Sequence, residues 1–173
     1  MYFSNRLATE RLRIAKKIKK DEEILVMFSG SGVYPVVFAR NAHPKSIYGI
    51  EINPKAHKYA KENVVLNKVE HQVKLYKGDV RMVLPKIKKK FDRIAMPLPK
   101  TGDQFLPLAL RKIKGNGIIH FYAFLNEKEI DKEARKIRTI CERHKKKCRI
   151  LRKLKCGQHA PYIFRVCFDI KVS

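Results

Sequence analysis

The sequence predicts an α/β fold, with a doubly wound, mostly parallel sheet of seven strands that ends in a C-terminal antiparallel hairpin. Apolar runs typical of buried strands alternate with segments of helical periodicity, which favours parallel strands joined by right-handed crossovers. The alternation stops near the C-terminus, where two strand-like segments follow each other across a short loop. No repeat or linker interrupts the 173 residues, so we expect a single domain over residues 1–173.

The first half of the chain alternates as this fold requires. Its predicted elements are, in order, a helix from about Thr9, the strand EILVMF, the helix VYPVVFARN, the strand KSIYGIEI and the helix AHKYAKENVVLN. Asn53 and Pro54 suit the N-cap and first residue of the last helix, because asparagine accepts hydrogen bonds from free amides and proline has no amide hydrogen to satisfy. Four side chains on one stripe of that helix are predicted to face the core: Ala56, Tyr59, Ala60 and Val64.

The second half continues the alternation and then breaks it. Its predicted elements are the strand VKLYKGD, a short helix around VRMVLPKI, the strand FDRIAMPL, a helix through QFLPLALRKI, the strand GIIHFYAFL and a charged helix from about Glu127 to Lys147. The turn KGNG is predicted to end the helix before the fifth strand. The last two strands, CRILRKLK and YIFRVCFDIKV, are joined by the loop GQHAP and should pair as an antiparallel hairpin at a sheet edge.

The charge of the chain predicts a polyanionic partner. Lysine and arginine number 40 against 16 aspartates and glutamates, a net charge of +24, and solubility alone rarely needs such an imbalance. Three cationic runs, at residues 16–20, 86–90 and 144–149, are candidates for phosphate contacts, although for each run alone a solvated face is the simpler interpretation.

The sequence also predicts the cellular setting. No apolar run reaches the length of a membrane span and the N-terminus lacks the apolar core of a signal peptide, so we expect a cytoplasmic protein with no membrane partner. The cysteines form no CxxC pair, which argues against a metal site and for reduced thiols. They are Cys141, Cys148, Cys156 and Cys167.

The stretch FSGSG follows the first predicted strand, where open α/β sheets bind ligands. Gly30 and Gly32 allow a tight turn with exposed backbone amides, although many sheets turn on glycines for packing alone. Glu51 ends the second strand, where a carboxylate can accept from both ribose hydroxyls, and Asp79 ends the third, where it can accept from the amino group of adenine. Pro35 stands where the GxGxxG pattern of NAD sites has its last glycine, so S-adenosylmethionine is favoured over NAD.

Six stretches together resemble the catalytic domain of the archaeal and eukaryotic tRNA methyltransferases that modify N1 of guanosine 37, beside the anticodon. They are YFSNRLATER, MFSGSG, YGIEINP, GDVR, MPLPK and IIHFYAF, and they span nearly the whole chain in order. RLATER is the most specific, because generic methyltransferases lack it. The resemblance implies a Rossmann-like class I methyltransferase that uses S-adenosylmethionine on tRNA, with residues 1–20 forming an N-terminal substrate and cofactor motif and helix.

The resemblance also implies roles for individual residues. Glu10 matches a proposed general base that removes the N1 proton; without the resemblance, an acid placed in the first helical turn to favour the dipole is the simpler interpretation. Arg6 and Arg11 are implied to hold the phosphate or the base, and Arg11 to stabilise charge on the guanine oxygen. The implied cofactor contacts are Tyr2, Phe28, Gly30, Gly32, Glu51, Ile52, Asp79, Val80 and Pro97. The implied substrate contacts are Leu98, Pro99, Lys100 and His159.

The sequence departs from the family pattern at two positions. Pro97 stands where the family has an asparagine that can meet the amino group of the target base, and Val26 stands where the first strand has an acid. Two alternatives to guanosine-37 methylation therefore stay open. One is transfer of a methyl or aminocarboxypropyl group to a wyosine precursor at the same tRNA position, and the other is a non-catalytic RNA-binding module with the same fold.

Family members usually have N-terminal domains that grip tRNA, and this chain starts at the catalytic domain. We expect a monomer whose grip on the anticodon region of tRNA comes from its cationic runs or from a separate domain or chain. His120, Tyr122 and Phe124 alternate along the fifth strand and could line the substrate pocket, although a lone strand histidine is more often packed and hydrogen-bonded.

Overall fold

The computed structural model describes residues 7–173 of the chain. Internal contacts divide the chain into two compact units, one that ends at Lys89 and one that begins at Lys90. The single domain expected over residues 1–173 stays a prediction.

The first unit contains three parallel strands with helices between them. Its elements are α1 (Ala8–Ala15), β1 (Glu23–Met27), α2 (Val33–Asn41), β2 (Ser46–Glu51), α3 (Pro54–Leu66), β3 (Val73–Lys77) and α4 (Val80–Val83), followed by a 3₁₀ turn (Leu84–Lys86). β2 pairs in parallel with β1 on one side and with β3 on the other. The apolar run of β1 is fully buried from Ile24 to Met27, which explains why it lacks the polar alternation of a half-exposed strand.

The second unit contains one parallel pair of strands and the C-terminal hairpin. Its elements are β4 (Phe91–Met96), a 3₁₀ turn (Gly102–Phe105), α5 (Leu106–Lys112), β5 (Ile113–Leu125), a 3₁₀ turn (Glu127–Glu129), α6 (Ile130–Arg143), β6 (Cys148–Ala160) and β7 (Ile163–Val172). β4 and β5 are parallel, whereas β7 pairs antiparallel with both β5 and β6.

The seven strands form one sheet in the order β3-β2-β1-β4-β5-β7-β6. The hairpin formed by β6 and β7 occupies one end of this order, and the parallel strands occupy the rest. The predicted fold class, a mostly parallel seven-stranded sheet with a C-terminal antiparallel hairpin, is therefore confirmed. Of residues 7–173, no helix combines the length and the apolar character needed to cross a membrane.

The start of α3 is built as the sequence predicts. The Asn53 side chain accepts hydrogen bonds from the amides of Lys55 and Ala56, at 2.9 and 3.2 Å, and Pro54 is the first helical residue. The predicted apolar stripe is wrong at Tyr59, which is 38% exposed, because the neighbouring His57 takes the inward position instead.

Two predicted loops are wrong, because the structure places their residues in strands. KGNG lies inside β5: two steps along β4, from Phe91 to Arg93, are matched by five steps along β5, from Ile113 to Ile118. The loop residues therefore bulge out of the ladder without ending the strand. GQHAP belongs to β6 as far as Ala160, where further register shifts absorb its glycine, and the hairpin turns at residues 161–162. The charged helix is also shorter than predicted, since α6 ends at Arg143.

Candidate active site

The turn that follows β1 adopts left-handed backbone conformations at Phe28, Gly30 and Gly32, with φ of 62°, 57° and 80°. A Cβ on Gly32 would lie 3.1 Å from the Cα of Ala60, so this glycine lets α2 approach α3. A Cβ on Gly30 would meet nothing within 4 Å, so this position borders open space. The packing and ligand-binding interpretations of the turn thus apply to different glycines.

The carboxylate of Glu51 is anchored to that turn by the backbone. One oxygen accepts the Gly30 amide at 2.7 Å and the other accepts the Asn53 amide at 2.8 Å. Each carboxylate oxygen keeps a lone pair for a further donor, which matches the two hydroxyls of a ribose. Ile52, the next residue, is 62% exposed, so an apolar surface lies beside the carboxylate.

Asp79 caps α4 and is engaged by a neighbouring arginine. Its carboxylate accepts the Arg81 amide at 2.8 Å and pairs with the Arg81 guanidinium, whose Nη2 lies 2.6 Å from Oδ2. Hydrogen bonds from the Arg81 side chain and amide lower the pKa of Asp79, so the group is an ionised acceptor at neutral pH. The side chain of Arg81 is 67% exposed, so this ion pair lies at the surface of the first unit.

Within the RLATER motif, Leu7 is the N-cap of α1 and residues 8–11 form its first turn, where Glu10 is buried. Both oxygens of its carboxylate accept from Arg13, at 2.6 Å from Nε and 2.8 Å from Nη2. Sequence analysis missed Arg13, although its spacing of three residues from Glu10 is that of a helical ion pair. Arg11 is buried and its guanidinium lies 5.4 Å from the centre of the Tyr34 ring, in the first turn of α2. This contact places α1 against the helix that starts at the glycine turn.

Three other residues of the implied site either lie outside the described part of the chain or are buried. Tyr2 and Arg6 lie outside the described residues. Val80 is 3% exposed at the start of α4, so it offers little surface to a ligand.

The implied substrate residues belong to the second unit. Pro97 to Lys100 follow β4 as a loop, which is fixed by a hydrogen bond from the Phe124 amide to the Pro99 carbonyl at 3.2 Å. The Leu98 amide donates to the Met96 carbonyl at 2.8 Å, and Lys100 is exposed.

His159 lies in β6 rather than in the predicted loop at the tip of the hairpin. Its ring stacks on Phe124, with the ring centres 3.8 Å apart and the planes 13° apart. The Arg165 guanidinium also lies near this ring, 5.1 Å from the centre of Phe124. His159 therefore joins an aromatic and cationic cluster at the end of β5.

A buried polar chain crosses three strands of the second unit, and sequence analysis did not anticipate it. Nη1 of Arg93 lies 2.9 Å from Nε2 of His120, whose Nδ1 lies 2.7 Å from Oδ1 of Asp169. Arginine has only donors, so Nε2 must accept, and the Nδ1 hydrogen is donated to Asp169. Cys167 lies close to this group, with its Sγ 3.6 Å from Oδ1 of Asp169, and both histidine nitrogens are engaged in a buried hydrogen-bonded relay.

The comparisons with known proteins fit this geometry. Residues 1–151 match the family model described as the TRM5/TYW2 methyltransferase domain. The chain belongs to this family. The matched TRM5/TYW2 segment contains the glycine turn, Glu51, Asp79 and α1, and it ends inside β6.

Two curated relatives and one solved structure illustrate the likeness within the TRM5/TYW2 family. The tRNA (guanine(37)-N(1))-methyltransferase Trm5b of Pyrococcus abyssi is 36% identical over the whole of this chain and 51% of its own length. Its crystal structure superposes with a TM-score of 0.90, covering 99% of this chain and 50% of that one. The tRNA 4-demethylwyosine(37)-methyltransferase Taw21 of Saccharolobus solfataricus is 35% identical over the whole of this chain and 63% of its own length.

A third likeness concerns a complex. The crystal structure of M. jannaschii TYW2 in complex with AdoMet has a TM-score of 0.90 and 27% identity, covering all of this chain and 78% of that one. The chain spans about half the length of the curated Trm5b relatives that it matches.

Proposed function

We propose that this domain transfers a methyl group from S-adenosylmethionine to N1 of guanosine 37 in tRNA. The observation that supports this most is the Glu51 carboxylate, held by two backbone amides beside the open space at Gly30 and the exposed Ile52. The two relatives above are named for methyl transfer at tRNA position 37, which supports the choice of substrate. A cytoplasmic, monomeric enzyme fits this substrate.

In this proposal the adenosine half of the cofactor is held by residues of the first unit. Glu51 accepts from the ribose hydroxyls, Ile52 covers the adenine ring and Asp79 accepts from the adenine amino group. Bound in this way, S-adenosylmethionine supplies a methyl group on a positively charged sulfur, and the transfer needs no covalent enzyme intermediate. The protein then contributes the alignment of the two substrates and the removal of the proton.

Glu10 is proposed as the group that removes the proton. Guanine N1 is a poor nucleophile while protonated, so the N1 proton would pass to the carboxylate as N1 takes the methyl group, while the sulfur keeps the electron pair of the broken carbon–sulfur bond and becomes neutral. The two oxygens of Glu10 accept hydrogen bonds from the Nε and Nη2 of Arg13, which hold the carboxylate in a fixed orientation in the first turn of α1. The buried position of Arg11 over Tyr34 favours a role in holding α1 in place over a direct phosphate contact.

A second candidate reaction is transfer to a wyosine precursor at position 37, and Pro97 favours it. The segment from Pro97 to Pro99 offers no polar side chain to the target base. The Leu98 amide and the Pro99 carbonyl are hydrogen-bonded to backbone groups of β4 and β5. A guanine amino group would therefore have to meet a backbone carbonyl of this loop or an acceptor elsewhere.

Calorimetric titration with S-adenosylmethionine tests the cofactor part of the proposal. We expect binding by the natural sequence and at least about tenfold weaker binding by Glu51→Gln, because a charged acceptor for two hydroxyls becomes a neutral one. The exposed Glu62 on α3, changed to glutamine, is the matched control and should bind normally. If the natural sequence does not bind S-adenosylmethionine at millimolar concentration, the proposed enzymatic function is contradicted. The non-catalytic RNA-binding module would then be the remaining hypothesis.

Replacing Arg81 with alanine is expected to tighten the binding of S-adenosylmethionine by about two- to fivefold, the contribution of a typical exposed ion pair. The reason is that Asp79 must exchange Arg81 for the adenine amino group. Dissociation constants from the same titration measure this change, and Arg111→Ala, an exposed arginine of α5, is the control. Weaker binding would show that Arg81 itself contacts the cofactor.

A further inference from the structure

A groove of about 620 Å³ lies between β2, β3 and the segment that follows α4. Its floor consists of Tyr48 and Tyr76, whose rings stack with centres 5.9 Å apart and planes 10° apart. Tyr48 is buried and Tyr76 is partly exposed. The volume falls in the range of about 300–1,000 Å³ that is typical of ligand sites, and every charged residue in the lining is a lysine.

The rim of the groove is cationic. Four lysines line it, Lys77 at the end of β3 and Lys86, Lys88 and Lys89 after α4, and no described residue of the lining is acidic. Lys89 is paired with Glu23 and lies 5.7 Å from the centre of the Tyr48 ring. The other three lysines are exposed and make no ion pair with a described residue.

The three lysines of the groove that have no described ion-pair partner differ from lysines elsewhere that lie next to a carboxylate. Several exposed lysines elsewhere are neutralised by a neighbouring carboxylate, in the pairs Lys114–Asp92, Lys136–Asp103, Lys153–Asp131 and Lys155–Glu127. At the groove, uncompensated charge converges on an aromatic floor. Phosphate groups form ion pairs with such lysines, and a ribose or a base can pack against a tyrosine ring.

We propose that the groove binds a ribose-phosphate segment of tRNA outside the target nucleotide, an inference that rests on the proposed function. Lys86 and Lys88 contact phosphates, and Tyr76 packs against a sugar or base. Lys77 ends β3 only two residues before Asp79, so the groove adjoins the proposed adenosine site without sharing its residues. The contact is electrostatic and independent of sequence, and it adds affinity for any tRNA without choosing the modified base.

The test is the salt dependence of binding to an unmodified tRNA transcript, measured by fluorescence anisotropy from 50 to 200 mM KCl. The double variant Lys86→Ala, Lys88→Ala should bind about tenfold more weakly at the low-salt end, and the slope of log K against log salt should fall by about 1.5. The control double variant Lys58→Ala, Lys132→Ala removes the same charge from exposed positions of α3 and α6 and should change both values much less. Tyr76→Leu should weaken binding with no change in slope.

The outcomes separate the groove from the proposed function. Equal losses of tRNA affinity in the two double variants would overturn the proposed groove site, because binding would then depend only on total charge. Unchanged tRNA binding alongside lost binding to phosphatidylserine vesicles would overturn it in favour of a lipid surface. Affinity for S-adenosylmethionine should be the same in all variants, which confirms folding. If the natural sequence binds tRNA but transfers no methyl group, the proposed function fails while the slope still decides on the groove.

Discussion

Replacing Glu10 with glutamine is expected to lower the turnover number for tRNA methylation by about 100- to 10,000-fold, the usual contribution of a general base. Glutamine keeps the size of the side chain but cannot take up the N1 proton. The affinity for S-adenosylmethionine should stay nearly the same, because the proposed cofactor contacts come from Glu51, Ile52 and Asp79. Single-turnover kinetics with labelled cofactor, together with calorimetry, measure the two effects separately.

The ion pair between Glu10 and Arg13 requires a control variant for this test. Glu10 is paired with Arg13 inside α1, so its replacement could also weaken the helix. Arg13→Gln removes the same ion pair but keeps the carboxylate, and it should retain far more activity than Glu10→Gln. Similar losses in the two variants, or a parallel loss of cofactor affinity, would assign Glu10 a structural role and contradict its role as a base.

Replacing Asp169 with alanine is expected to reduce the free energy of unfolding by about 1–3 kcal/mol, the cost of leaving the buried Nδ1 hydrogen of His120 without its acceptor. The change removes the carboxylate from a relay in which the Arg93, His120 and Asp169 side chains are all nearly inaccessible to water. A total stability of about 5–15 kcal/mol is typical, so the loss is large. Urea unfolding followed by circular dichroism measures it.

Two further variants make the result interpretable. Asp169→Asn keeps an acceptor for the histidine Nδ1 hydrogen and should cost less than the alanine change. Asp131→Ala removes an exposed ion pair with Lys153 and should leave the unfolding midpoint nearly unchanged. If Asp169→Ala behaves like Asp131→Ala, the relay does not stabilise the fold.

The sequence predicted the features of this protein that depend on neighbours along the chain. The cap at Asn53 and the long apolar run of β1 are local patterns, and both occur in the structure. The hairpin turn was misplaced because Gly157, a strong turn signal, is absorbed by a register shift that the pairing of β6 with β7 sets. A turn signal in one strand does not reveal how its partner aligns.

In the candidate site, too, the features that depend on neighbours along the chain could be predicted, and those that depend on strand alignment could not. Glu51 ends β2 as the sequence predicts, whereas Asp79 lies two residues beyond the end of β3 and caps α4 instead. The pairing of Asp79 with Arg81 could have been inferred from the stretch GDVR, in which an acid and a base lie two residues apart. The Arg93–His120–Asp169 relay could not be predicted, because its members come from three strands whose alignment exists only in the folded sheet. The Tyr48–Tyr76 stack has the same origin, since its rings come from two different strands.

The central claim is methyl transfer from S-adenosylmethionine to N1 of guanosine 37, and nucleoside analysis of treated tRNA transcripts tests it most directly. Two transcripts that differ only in guanosine or adenosine at position 37 are incubated with the protein and labelled cofactor, digested and analysed by mass. We predict 1-methylguanosine from the first transcript and no labelled nucleoside from the second. Equal labelling of the two transcripts, or a methylated nucleoside other than 1-methylguanosine, would contradict the claim.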